Sequence, residues 1–139
     1  MIGIGPYIAH LLTPLGRGEW SRAILPTEQV PNSEEMVYKA MSLARLLCPN
    51  ANLPATTALA TINSKEGREL GLMRGANVVM PNLTPALYRK LYEVYPNKVC
   101  VSETAMQCQS CLNTKLSQLG RVPGQGRGDS WNLKRRFYV

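Results

Sequence analysis

Residues 52–81 read NLPATTALATINSKEGRELGLMRGANVVMP, and the way this stretch divides decides the fold. Its first part, roughly Asn52 to Leu59, is an apolar run with β-branched threonines, the composition of a strand. NSKEGRELGLMRG then reads as a helix that Asn63 or Ser64 opens and that Gly75 closes at a C′ position. ANVVMP is apolar throughout, which predicts a third element, a short strand covered on both faces. Strand, helix and strand in this order make a βαβ unit, which means a parallel pair and a right-handed crossover.

The alternation extends in both directions. Upstream, IGIGPYIAH predicts a short buried strand, followed by the irregular loop TPLGRGEWSRAILPTEQVPN. NSEEMVYKAMSLARLLC predicts a helix capped by Asn32 or Ser33, with Glu34 and Glu35 at its positive end and Pro49 stopping it. Met36, Val37, Ala40, Met41, Ala44, Leu47 and Cys48 recur at helical spacing as its apolar face, and Glu35 and Lys39 form an i,i+4 pair. Downstream, Thr84 and Pro85 open a third helix with a buried stripe of Leu87, Tyr88, Leu91 and Tyr92. KVCV is a brief extended piece, and a fourth helix spans about Thr104 to Leu119, closed by Gly120. Three strands are few for a parallel sheet, and an eight-stranded β/α barrel typically takes about 250 residues. The pattern therefore predicts an α/β chain with less than half of the strands of such a barrel, either a small open domain or a piece of something larger.

Composition narrows the function classes. Of the 139 residues, 45% are hydrophobic and 18% charged, which excludes a disordered chain. The net charge of +7 is uneven: residues 1–111 carry ten Lys/Arg against eight Glu, and residues 112–139 six against one Asp. This sets a body, 1–120, apart from a basic, Gly-rich and loosely ordered tail, 121–139. The tail's LKRRF could meet nucleic acid, but no aromatic platform accompanies the charge, so a solvated tail is the reading and nucleic acid is not expected as a partner. No apolar run is long enough for a membrane span and no signal peptide is visible, so a cytoplasmic chain is expected. There thiols stay reduced, and clustered cysteines point to metal or catalysis before disulfides.

Two stretches carry chemistry. CVSETAMQCQSC places Cys100, Cys108 and Cys111 within twelve residues. A C-x2-C pair on a helix with a third cysteine close by is a half-site for iron–sulfur or zinc. Spacing ranks metal ligation first, three buried thiols second and a disulfide last, and a zinc or iron–sulfur module without enzyme activity stays open as an alternative function. PATTAL places Thr56 and Thr57 near the C-terminal end of a strand, where α/β folds put their sites. Spacing by itself favours the plainer reading, that Thr forms strands well. His10 has no Cys or Asp companion nearby, and no Ser-His-Asp set, P-loop or paired carboxylates are present.

Taken together, IGIGPYIAH, LARLLCPNANLPATTAL, GRELGLMRGANVVMPNLTP, YRKLYEVYPNKVCV and the trailing C-x2-C-L resemble the C-terminal part of the HydE family of radical SAM maturases, relatives of biotin synthase and methylornithine synthase. Nearly the whole chain is covered by the resemblance. It implies a β/α TIM-type barrel, of which this chain holds the last three βα units, and a parent reaction in assembly of the diiron cluster of [FeFe]-hydrogenase. It implies an accessory iron–sulfur site at Cys100, Cys108 and Cys111, and a substrate or anion site at Thr56 and Thr57. Gly5, Pro6, Tyr7 and Met80 would stand near the mouth that holds S-adenosylmethionine. The four-iron cluster and S-adenosylmethionine themselves would be cofactors of the full-length parent, whose C-x3-C-x2-C motif is missing from this sequence. The expectation is a fragment inactive alone, with the rest of the barrel and the hydrogenase maturation machinery as its partners.

Overall fold

A computed structural model describes residues 1–19 and 26–131. The LKRRF run, and with it much of the proposed basic tail, lies outside the described residues. The elements are helices α1 (Glu34–Leu47), α2 (Thr57–Ile62), α3 (Gly67–Met73), α4 (Ala86–Arg89) and α5 (Ala105–Gln118), with strands β1 (Pro54–Ala55) and β2 (Val78–Val79). Helix α1 begins as its sequence requires. Ser33 Oγ accepts the Met36 N–H at 3.2 Å, satisfying one of the donors a helix start leaves free. Its inward side is Val37, Tyr38 and Met41; Leu47 and Cys48, expected on that face, are exposed. Tyr38 fills the face instead, with the Arg74 guanidinium 4.9 Å from its ring centre.

Strands β1 and β2 pair in parallel, Pro54 opposite Val78 and Ala55 opposite Val79. Proline lacks an N–H and suits only the first position of a strand, so the ladder starts one residue earlier, where the Leu53 carbonyl accepts Val78 N–H at 3.1 Å. The segment before it, expected as a strand, is an extended run beside β1. Ile2 N–H donates to Asn52 O at 2.9 Å, and Gly5 lies against Thr56 three residues further on, so the two run the same way. Even-numbered residues from Ile2 to His10 are more buried than odd ones, the period of an extended segment with one covered face.

The strand expected over 52–59 ends at Ala55. Thr56 instead caps α2, its Oγ1 accepting Leu59 N–H at 3.4 Å, and Ala58, Leu59 and Ala60 continue the helix. The helix expected from Asn63 starts only at Gly67. Asn63 forms a turn, its Oδ1 accepting Glu66 N–H at 3.1 Å. A Cβ at Gly67 would lie 2.4 Å from Leu59 O, so the close approach of α2 and α3 needs glycine there. Gly75, at φ +113°, ends α3 as the sequence predicts, and Ala76 N–H closes onto Gly71 O at 3.0 Å in the Schellman pattern.

Met41, Leu53 and Leu59 are fully buried, and Met41 and Leu59 with Val37, Tyr38, Ala55, Leu72 and Ala76 form the apolar centre between α1, α2, α3 and the sheet. Val78 and Val79 are only half-buried, so β2 is not covered on both faces as its sequence suggests.

After Pro81 the organisation changes. Thr84 does not cap α4; Pro85 holds that position, and Asn82 Oδ1 takes the Thr84 N–H at 3.2 Å. The expected buried stripe faces outward, with Leu87 and Leu91 each 80% exposed and Tyr88 and Tyr92 also exposed. The buried side chain is Arg89, 2% exposed. Its guanidinium donates to the carbonyls of Thr84, Asn82, Cys100 and Glu103, and so ties the loop after β2 to the loop before α5. KVCV forms no strand; Cys100 has φ +62° in a bend. Helix α5 matches its expected bounds, with a full capping box between Thr104 and Gln107. Residues 121–128 do not hang free: Arg121 Nη1 donates to Ala76 O at 3.3 Å and Asn52 Nδ2 to Gly128 O at 2.8 Å, across the N-terminal end of the sheet. No described helix is long and apolar enough to cross a membrane.

Candidate functional site at the C-terminal edge of the sheet

Parallel strands deliver their following loops to one edge, and here that edge gathers most of the residues singled out by sequence. Gly5, Pro6 and Tyr7 lie in the first extended segment where it passes the end of β1, Thr56 and Thr57 follow β1, and Met80 follows β2. A Cβ on Gly5 would stand 3.1 Å from Thr56 Oγ1, so glycine lets the two segments close up at this point. Tyr7 is pinned through its backbone by Asn32, whose Oδ1 accepts the Tyr7 N–H at 2.9 Å and whose Nδ2 donates to the Tyr7 carbonyl at 2.6 Å. Pro6 is buried, while the Tyr7 and Met80 side chains are exposed.

Thr56 and Thr57 divide between two tasks. Thr56 caps α2, and Thr57, the first residue of α2, has its Oγ1 3.5 Å from Arg68 Nη2. Arg68 is 8% exposed, and its Nε has no hydrogen-bond partner among the described residues. Its Nη1 lies 3.8 Å from Cys100 Sγ. The ion pairs among the described residues are Arg17–Glu19, Lys39–Glu35, Lys115–Glu69 and Arg127–Asp129, so neither buried arginine faces a carboxylate. Nearby, burial pushes the Tyr95 hydroxyl above the usual tyrosine range, against a hydrogen bond with Thr61 and the charge of Arg68.

The three clustered cysteines do not share one environment. Cys108 is buried and its Sγ accepts the Asn82 N–H at 3.5 Å. Cys100 is half-buried, and the Asn82 Nδ2 donates to its carbonyl at 2.9 Å. Burial raises the Cys100 thiol above its ordinary pKa; Arg68 opposes this, and Cys108 and Glu103 add to it. Cys111, one turn further along α5, is exposed. All are free thiols, and among the described residues no group of three His, Cys, Asp or Glu is arranged to hold a metal. Asn82 thus touches both loops, through the Cys108 thiol and the Cys100 carbonyl, while the Cys100 thiol stands against Arg68 and Cys111 is exposed. His10 serves a turn, its Nδ1 accepting the Leu12 N–H at 3.1 Å.

Sequence reasoning missed Arg68 and Arg89. For Arg68 a signal exists: Ser64, Lys65, Gly71 and Leu72 occupy the positions three and four residues away, so no carboxylate can pair with it along the helix. For Arg89 the signal is absent, because its partners are backbone carbonyls, which every residue carries and no side-chain spacing encodes.

An α/β chain with a short parallel sheet, its C-terminal edge lined by hydroxyls and a buried guanidinium, has the layout of a β/α unit with its site at the strand ends. No family model matches the chain. The chain is similar along nearly its whole length to the [FeFe] hydrogenase maturase subunit HydE of Thermotoga maritima, with 40% identity over 99% of this chain. It spans only 35% of that protein's length.

Proposed function

We propose that this chain performs the part of a HydE-type radical SAM maturase that walls and closes a β/α barrel. The observation that carries this reading is the 40% identity to the maturase over 99% of the chain. The parallel pairing of β1 with β2 and the extended segment alongside support it, because a barrel's last strands run in parallel and in sequence order. In this reading Thr56 and Thr57 hold an anionic substrate group, and Gly5, Pro6, Tyr7 and Met80 border the mouth of the cavity. The group such enzymes use, a four-iron cluster with S-adenosylmethionine, supplies a 5′-deoxyadenosyl radical. No residue set here fits that cluster, since C-x3-C-x2-C does not occur in the sequence. What these residues contribute is binding and orientation of substrate, with radical generation left to the part of the maturase that the chain does not span.

The test is direct. The chain, incubated anaerobically with S-adenosylmethionine and a strong reductant, yields no 5′-deoxyadenosine. Joined in place of the matching third of the Thermotoga maritima maturase, it supports 5′-deoxyadenosine formation. Product from the chain alone, or a folded chimera with its cluster loaded and no product, overturns the reading.

A second reading is favoured by Asn82, which contacts both the Cys108 thiol and the Cys100 carbonyl and so holds these two residues near one another: a thiol site for iron–sulfur or zinc, completed by Cys111 after a turn of α5 shifts. Anaerobic reconstitution of the chain and of a Cys108→Ser, Cys111→Ser variant decides it. Metal retained equally by both proteins rules these residues out as ligands.

A further inference from the structure

A hydroxyl has one proton to give and lone pairs to receive with, so whatever donates to its oxygen decides where its own proton can point. Arg68 Nη2 stands 3.5 Å from Thr57 Oγ1. A guanidinium only donates, so in this contact Thr57 is the acceptor, and its proton must turn to another partner. Among the described residues none receives it. Thr56 is in the same position: its oxygen takes the Leu59 N–H at 3.4 Å, and no described group accepts its proton. Both hydroxyls at the end of β1 therefore offer donors.

The charge behind Thr57 is also uncompensated. Arg68 is 8% exposed, its Nε is unpartnered, and none of the ion pairs among the described residues includes it. A cation withdrawn from water without a counter-charge is costly. Nε and Nη2 share one edge of the guanidinium, the edge that matches a planar two-oxygen anion, and Nη2 on that edge reaches Thr57. The remaining polar contact, Nη1 to Cys100 Sγ at 3.8 Å, lies on the opposite side of the group.

We propose that Arg68 is a positioning residue: by donating to Thr57 it turns the threonine proton outward, so that the C-terminal edge of the sheet selects a compact anion of the carboxylate class over a neutral ligand of the same shape. This rests on the reading of Thr56 and Thr57 as an anion site, and it names the residue that gives the site its sign. The guanidinium acts through the hydroxyl and contributes its charge from behind.

Acetate and its neutral isostere acetamide, titrated into the whole 139-residue chain in a buffer of bulky anions, test this by thermal shift and by calorimetry. Acetate binds saturably and acetamide does not. Arg68→Met and Thr57→Val each weaken acetate binding by about tenfold or more, the size of one charge-assisted hydrogen bond, while Arg68→Lys retains most of it. A purely structural arginine would change stability without changing the preference for acetate over acetamide. Acetate binding unchanged in either Arg68→Met or Thr57→Val, equal binding of acetamide, or no acetate binding by the parent chain overturns the proposal. If Arg68→Met does not fold, Thr57→Val decides, because it removes the hydroxyl and keeps the shape. The radical-forming assay on the chimera is independent of these titrations, so the family reading and this inference fail separately.

Discussion

The two halves of the described chain are held together by opposite means. From Ser33 to Met80, α1, α2, α3 and the sheet close around Met41 and Leu59 as an apolar centre. From Pro81 to Thr104 the apolar side chains face outward, and the structure is organised by one buried guanidinium reaching four carbonyls. The first arrangement is stabilised by removing hydrocarbon from water. The second works by satisfying backbone carbonyls that would otherwise be buried and unpaired. A segment with amphipathic spacing need not bury its apolar stripe when a polar centre competes for the interior.

This contrast can be broken at its strongest point. Arg89→Met keeps most of the side-chain volume but strands the carbonyls of Asn82, Thr84, Cys100 and Glu103. We expect a loss above about 3 kcal/mol in denaturant unfolding, or local melting of residues 81–104 seen by hydrogen exchange. A cost under about 1 kcal/mol would mean that the guanidinium does not organise this half. Leu59→Ala opens a cavity in the other half, against a side chain that is fully buried, and should cost about 2–5 kcal/mol.

Gly75→Ala comes next, at about 1–2 kcal/mol. Its φ of +113° is strained for any other residue, and the added Cβ would lie 2.8 Å from Arg45 Cβ. Thr104→Ala removes the capping box of α5 and should cost about 1 kcal/mol. Leu91→Ser, by contrast, should change stability by less than about 0.5 kcal/mol, because the side chain is already in water. A larger loss would show that the outward stripe is covered in solution.

Proton linkage offers a separate probe of the apolar half. Tyr38, pushed up to about 12 chiefly by burial, with Glu34 adding to the shift, favours its protonated form in the folded chain. Its folded value lies above the ordinary 10.0, so the contribution to stability is fully present below pH 10 and falls as pH rises from there towards about 12. Tyr38→Phe should flatten that part of the stability profile. An unchanged slope would assign it to other groups.

How far the sequence could be read follows the same division. Ser33 opens α1, Gly75 closes α3, and Thr104 and Gly120 bound α5, signals that act within a few residues, and their positions in the structure match. The parallel pair was legible from apolar runs flanking a helix, although PATTAL was read as strand where a threonine cap turns it into helix at Thr57. The inside-out α4 was not legible, because what buries Arg89 is a loop some ten residues further on. At the site, sequence directed attention to Thr56 and Thr57, but the polarity of Thr57 depends on an arginine eleven positions later, brought near only by the packing of α3 on α2. The cysteine spacing put Cys108 and Cys111 at neighbouring positions of one helix, but spacing does not tell that Cys108 is buried and Cys111 exposed.

The most direct measurement of the whole account is hydrogenase maturation by the chimera in which this chain replaces the matching third of the Thermotoga maritima maturase. If these residues wall the substrate cavity, the chimera yields active [FeFe]-hydrogenase, and its Thr56→Val, Thr57→Val version forms 5′-deoxyadenosine but matures little or none. A folded, cluster-loaded chimera that forms 5′-deoxyadenosine yet matures no hydrogenase, or one whose maturation is indifferent to both threonines, would contradict it.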